Sequence, residues 1–260
     1  MGILNITPDS FSDGGIYFDS QRAVDHAFEM AEAEADIIDI GAESSRPGSE
    51  AISADEELAR LAPVLSALQG KLKVPVSVDT YKSQVAEAAI ELGAGIINDI
   101  SGLMADPRMA PLLAKHNIPV VIMHMRGTPK TMQQNTHYES FLSEVIMRLK
   151  DGISLAEQAG IHPDNIVIDP GIGFGKTVYH NLYLINHLAE FKVLGKPILI
   201  GPSRKSFIGQ VLNLPPNQRE EGTAAAVACA IVNGAHIVRV HDVAKMGRVA
   251  KMADAICRAV

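Results

Sequence analysis

Eight short apolar runs, each separated from the next by a stretch of helical periodicity, are the strongest constraint on what this chain can fold into. The runs are GILNI (2–6), ADIIDIG (35–41), VPVSVD (74–79), GIINDI (95–100), PVVIMHM (119–125), NIVIDP (165–170), PILIGPS (197–203) and HIVRVHD (236–242). Polar residues seldom alternate within them, as expected of strands covered on both faces of a parallel sheet. Between them lie AVDHAFEMAEAE, ADEELARLAPVLSAL, SQVAEAAIEL, MAPLLAKH, ESFLSEVIMRLKDGISLAEQA, NLYLINHLAEF, TAAAVACAIVN and, after the last, VAKMGRVAKMADAICRA. Gly93, Gly160, Gly195 and Gly234 supply helix stops before the chain returns to the sheet. Eight βα repeats in 260 residues predict an α/β fold of the (β/α)8 TIM-barrel type, typically roughly 250 residues long. A doubly wound open sheet is the alternative, because strand count does not prove closure. No linker, charge run or low-complexity stretch divides the chain, so residues 1–260 are expected to form a single domain.

The formal charge of −7 argues against nucleic-acid binding, which asks for a basic footprint. Cys229 and Cys257 have no metal-type spacing and fall in helical patterns; they read as buried free thiols of a reducing compartment. No apolar run is long enough to cross a bilayer. The N-terminus lacks a signal-peptide pattern, and Ile6 stands where a myristoylation site wants Ser or Thr. A cytoplasmic location is expected.

One segment looks like a nucleotide loop. In IVIDPGIGFGKT (166–177), counting back from Gly175 places Pro170 where a Walker A loop needs its first glycine. A G-x-G-x-x-G reading from Gly171 and Gly173 ends on Lys176. Both templates fail by one position, and the informative residue becomes Asp169, at the end of its strand.

Every other run also ends in polar residues: Asn5, Asp39 with Glu43 just beyond, Asp79, Asn98 with Asp99, His124, Ser203-Arg204-Lys205, and Arg239 with His241. In a barrel these ends share one rim, where active sites form. Asp79, Asn98 and Asp169 offer acceptors and an amide, while Arg46, Lys205, Arg239 and His241 offer donors. That set suits a planar heterocycle with adjacent N–H groups, bound beside an anion; a rim of internal ion pairs is the alternative. NITPDSFSDGG (5–15) and ESSRPGSEA (43–51) are long for βα turns and read as lids. His124 and His241 lack zinc-type spacing.

Taken in order, NITPDSFSDGG, GAESSRPG, VSVDTYK, INDISG, DPGIGFGK, GPSRKSFIG and VRVHDV resemble the dihydropteroate synthase family over nearly the whole chain. The resemblance implies a TIM barrel that joins 6-hydroxymethyl-7,8-dihydropterin diphosphate to 4-aminobenzoate, with Mg²⁺, as a homodimer and a sulfonamide target in folate synthesis. It implies that Asp79, Asn98, Asp169 and Lys205 hold the pterin edge, with Ile100, Met123 and Phe174 lining the slot and Arg239 over the ring. Asn5 would touch metal and diphosphate, and Ser45, Arg46, Arg239 and His241 would bind diphosphate. Phe11, Pro47, Ser203 and Lys205 would surround the aminobenzoate. The implied catalytic work is stabilisation of departing diphosphate by Mg²⁺, Arg46, Arg239 and His241, with Lys205 on the pterin carbonyl, in a dissociative substitution.

Ser45 stands where the family more often has Thr. Met1 falls at the first strand, where the family usually has a preceding segment, often a hairpin near the barrel floor; a less covered floor is the expectation. The rival readings are a methyltetrahydrofolate-binding corrinoid methyltransferase, a non-catalytic pterin-binding paralogue and a phosphosugar barrel enzyme. The first does not need NITPDSFSDGG or the Ser-Arg-Lys step, and the second would be free to lose Arg46, Lys205 or Arg239. All of these are present.

Overall fold

In the computed structural model of the chain, residues 1–7 and 15–259 are described, without the side chains of residues 15–19. Phe11, one of the expected aminobenzoate contacts, lies outside the described residues.

Six parallel strands pair in chain order: β1 (Gly2–Asn5), β2 (Ile38–Gly41), β3 (Val76–Asp79), β4 (Ile96–Asp99), β5 (Val120–Met123) and β6 (Ile166–Asp169). β7 (Leu199–Ile200) and β8 (Ile237–Val238) form a second parallel pair. Two short seams join these pieces. Ile168 bridges Ile198 and donates to the Pro197 carbonyl at 2.9 Å, which links β6 to β7. Gly2 bridges Val240, and Ile3 N and Val240 N bond across to Val240 O and Met1 O at 2.9 and 3.0 Å. The order 1-2-3-4-5-6-7-8-1 is therefore a closed ring, and the open-sheet alternative is excluded.

The expected strands are present but shorter, most of all the last two. Regular pairing in these two is confined to two residues each. The helices follow the predicted alternation, with α1 at Gly15–Glu32, α2 at Ala54–Leu68, α3 at Ser83–Glu91, α4 at Met109–His116 and α5 at Phe141–Gln158. NLYLINHLAEF divides into α6 (Val178–Asn186) and a 3-10 segment, Leu188–Leu194. A short α7 (Ser206–Leu212), unread in the sequence, precedes α8 (Glu220–Val232) and α9 (Val243–Arg258).

Strand register sorts the core into three regions. Outward residues such as Leu4, Ile38, Ile40, Val78, Ile97, Ile122, Ile168 and Ile200 pack under the helices in one continuous apolar layer. Inward residues of the opposite parity fill the barrel floor, where Met1, Val121 and Leu199 meet Ile37, Ile96, Val167 and Ile237. A third cluster sits at the other mouth: Ile100, Met123, Met132 and Phe174, with Tyr81 and Met125. Between floor and mouth the inward positions turn polar, with Asp39 opposite Ser77 and Asp79 opposite Asn98 in the ladder.

Both cysteines are exposed, contrary to the buried thiols expected. α8 is apolar all round, so its sequence does not say which face is inward. Thr223, Ala226, Val227 and Ala230 are buried, and Cys229 falls between them on the outer side, near Val232 at 60% exposure.

Candidate active site

The site grows from the C-terminal ends of the strands. Arg239, just past β8 and on the inward parity, reaches back across the barrel. Its Nε donates to Asp39 Oδ2 at 2.5 Å and its Nη2 to Asp79 Oδ2 at 3.0 Å. Asn98 Nδ2 donates to the same Asp39 oxygen at 3.1 Å. Asp39 is fully buried, so the guanidinium offsets a desolvation cost that would otherwise be several kcal/mol, of the order of 3–5. Burial pushes Asp79 up to about 7, with Arg239 opposing and Asp39 adding to the rise. Part of the alternative reading, a rim of internal ion pairs, is therefore real, and Arg239 is committed to two carboxylates.

Asp169 ends β6 and is buried. Its Oδ1 accepts from Gly171 N at 2.7 Å, and burial raises its pKa. The glycines that follow let the backbone fold tightly over it. Gly171 has φ +73, and a Cβ there would lie 1.9 Å from the His124 carbonyl oxygen. Gly173 has φ +83 and faces the Lys205 side chain, which a Cβ would meet at 2.9 Å. The run is thus a close-packed turn that brings Phe174 to the mouth, with glycine needed at both contacts.

Lys205 is the N-cap residue of α7 and follows Arg204, whose φ of +56 makes the sharp step that turns the lysine inward. Thr223 of α8 holds that step, accepting from Arg204 N at 3.0 Å. Lys205 Nζ donates to the Ile172 carbonyl and lies 4.2 Å from the centre of the Phe174 ring. Burial lowers it to about 8, with Asp169 pulling the other way, so it is still mostly cationic near neutrality. Ser203 is buried, and its hydroxyl accepts from His241 N at 3.2 Å and pairs with His241 Nδ1 at 2.9 Å. Burial lowers His241 to about 4, followed by the charges of Arg239, Arg204, Lys205 and Arg46.

Asn5 closes β1, half-buried and on the inward parity. Ser45 is half-buried beside Asp79, Tyr81 and Ile100. Arg46 and Pro47 are exposed on the loop after β2. Among the described residues no hydrogen bond or ion pair joins the Arg46 guanidinium to the other expected residues, but its charge reaches His241.

The Pterin binding enzyme family model matches residues 1–241 of this chain. The dihydropteroate synthase of Bacillus subtilis strain 168 is 50% identical over 256 residues, covering 98% of this chain and 87% of that protein. The Escherichia coli K12 dihydropteroate synthase is 47% identical over 243 residues, or 94% and 86% of the two chains. The chain belongs to the dihydropteroate synthase family. Among solved structures, a dihydropteroate synthase from Clostridium difficile in the presence of pteroic acid superposes with TM-score 0.93 at 45% identity, covering 98% of this chain and 95% of that one. The Xanthomonas albilineans dihydropteroate synthase with 4-aminobenzoic acid gives TM-score 0.93 at 43% identity, covering 100% and 93%.

Within this dihydropteroate synthase barrel, several residues to which the sequence assigned no role also shape the site. Asp39 shares the inward parity of the strand end in ADIIDIG, a signal that was available, yet no role followed from it. Lys176 and His124 could not be paired by any pattern. Lys176 is 3% exposed, donates to the Phe174 carbonyl at 3.0 Å, and lies 2.8 Å from His124 Nδ1. Burial drives both well below their ordinary pKa values, and for His124 the lysine charge adds to the fall. Lys176 therefore braces the Gly-rich turn from beneath. Tyr81 and Met132 complete the apolar mouth.

Proposed function

We propose that the chain condenses 6-hydroxymethyl-7,8-dihydropterin diphosphate with 4-aminobenzoate, giving 7,8-dihydropteroate and diphosphate. The observation that carries this reading is the buried Asp169 carboxylate beside an apolar mouth of Ile100, Met123 and Phe174, with Lys205 over the Phe174 ring. A flat heterocycle fits between such walls. Asp169 would accept from its amino and ring N–H groups while Lys205 donates to the carbonyl side, with Asp79 and Asn98 along the same edge. Charge-assisted bonds of this kind are strong and selective, and an analogue lacking the donors would leave buried acceptors unpaired.

Diphosphate would lie toward Asn5, Ser45, Arg46 and His241, with the positive field of Arg239 behind them. The bond from the pterin methylene to the diphosphate oxygen breaks with its electron pair on the leaving oxygen, and the ring stabilises the resulting cation. The arylamine lone pair then forms the new C–N bond, and a proton leaves the nitrogen. No strong base is needed, because the amine is neutral near pH 7. Phe11, Pro47, Ser203 and Lys205 would surround the aminobenzoate. A relative from Yersinia pestis has been crystallised with a sulfonamide drug, which supports reading this chain as a sulfonamide target.

Among the described residues no three His, Cys, Asp or Glu side chains gather as a metal-ligand set. Mg²⁺ often takes only one or two protein oxygens when substrate phosphates supply others, and the Asn5 amide at the end of β1 fits that requirement. Mg²⁺ held there would neutralise charge on the departing diphosphate.

A homodimer is part of the proposal. α8 and α9 pack side by side and leave Val232, Met252 and Ile256 about three-fifths exposed, at 60%, 62% and 61%. Large apolar side chains left exposed on two adjacent helices favour a partner surface. A cytoplasmic location is also proposed; no helix among the described residues is long and apolar enough to cross a membrane.

The deciding assay mixes the protein with the pterin diphosphate, 4-aminobenzoate and Mg²⁺ and follows dihydropteroate by chromatography. Product formation is expected. Intact pterin binding without product would favour a non-catalytic pterin-binding role.

A further inference from the structure

The loop carrying Ser45 and Arg46 leaves β2 and returns at the start of α2, and both of its ends are tied to one carboxylate. Glu43, at the start, accepts from Ile52 N, at the finish, at 3.3 Å through Oε2. The same oxygen accepts from Lys82 Nζ, which also donates to Glu57 Oε2 at 2.5 Å in the first turn of α2. The other Glu43 oxygen accepts from the Tyr81 hydroxyl at 2.6 Å. These groups are well shielded: the Glu43, Glu57 and Lys82 side chains are 9%, 1% and 17% exposed. Tyr81 in turn packs against the apolar mouth, and its ring and Ser45 border the same small recess beside Asp79.

Such an arrangement exceeds what a surface loop needs. A loop closed by backbone contacts alone could shift its tip by an ångström at little cost, whereas a shielded carboxylate with three donors fixes both ends in one geometry. Misplacement on that scale is enough to cost large factors in rate when the loop carries a charged substrate contact.

We propose that Glu43 is a positioning residue for diphosphate: it closes the base of the 44–51 loop and sets Ser45 and Arg46 in register with the pterin slot through the Tyr81 hydroxyl. This rests on the reading that Ser45 and Arg46 meet diphosphate. Glu43 itself touches no substrate.

Glu43→Gln keeps the side-chain shape and an acceptor but removes the charge that holds Lys82. Calorimetric titration with inorganic diphosphate should show affinity weakened by about ten- to a hundredfold. KM for the pterin diphosphate should rise in parallel, while affinity for a pterin lacking diphosphate stays unchanged. Unchanged diphosphate affinity, whatever happens to the melting temperature, overturns the proposal and leaves Glu43 a structural residue. Equal weakening of the bare pterin overturns it too, because Glu43 would then act on the slot wall. If Glu43→Gln does not fold, Tyr81→Phe removes a single donor and decides by the same two titrations. Neither titration needs turnover, so they remain readable even if the unmodified protein makes no dihydropteroate.

Discussion

Arg239 and Asp79 meet across the barrel, guanidinium Nη2 to carboxylate Oδ2 at 3.0 Å, while the same arginine holds Asp39 through Nε. Three charges from β2, β3 and the end of β8 thus share one buried site. Arg239→Ala should destabilise the fold by about 3–5 kcal/mol, because two carboxylates lose their counter-ion. The pH dependence has a definite sign. The folded Asp79 pKa is raised to about 7, so its contribution is fully present below the unfolded pKa and is lost as pH rises through about 7. Without Arg239 the folded pKa moves higher still. Urea unfolding should therefore show a larger loss at about pH 8 than at about pH 6.

Asp169→Asn tests the pterin edge directly. The asparagine oxygen can still accept from Gly171 N, the bond that Asp169 makes at 2.7 Å, so the turn should survive. The charge and one acceptor vanish, and an amide donor now faces the pterin N–H groups. Two charge-assisted bonds are worth roughly 1.5–3 kcal/mol each. Calorimetry should find pterin affinity reduced by about a hundredfold or more, with an unchanged circular-dichroism spectrum. Retained affinity would remove Asp169 from the site.

Gly171→Ala should be among the most damaging single methyl additions in the chain. Its Cβ would sit 1.9 Å from the His124 carbonyl oxygen at φ +73, so backbone must move against backbone. A loss of more than about 3 kcal/mol is expected. Gly70→Ala is the control: φ is +71 there, but nothing lies within 4 Å of the added carbon. Its cost should be about 1 kcal/mol, from conformation alone. Similar midpoints for the two variants in thermal melts would refute the packing account.

His241 should be neutral in the empty site and take up a proton when diphosphate arrives. Burial and neighbouring cations hold its folded pKa at about 4. Its stabilising contribution is thus complete above the unfolded pKa and falls away as pH drops toward about 4. Over that window His241→Gln should flatten the stability slope by up to about 1.4 kcal/mol per pH unit. An incoming dianion would raise the pKa, so diphosphate binding near pH 6 should consume protons. Titrations in two buffers of different ionisation enthalpy would measure the uptake, and His241→Gln should abolish it.

The order of strands and helices was fixed by local pattern, because two-faced burial and helical amphipathicity write their periods directly into residue order. The polar strand ends were legible for the same reason: inward parity carried Asn5, Asp79, Asn98, Asp169 and Arg239 to one mouth. Closure was not legible. It depends on the Gly2–Val240 and Ile168–Ile198 seams, pairings between segments whose own patterns carry no partner information. The same holds for Arg239 with Asp39, Lys176 with His124, and Glu43 with Ile52 and Lys82, each brought together by the ring or by a turn. Cys229 shows the limit from the other side. In a helix apolar all round, sequence has no phase to report, and only packing against the barrel decided that the thiol faces out.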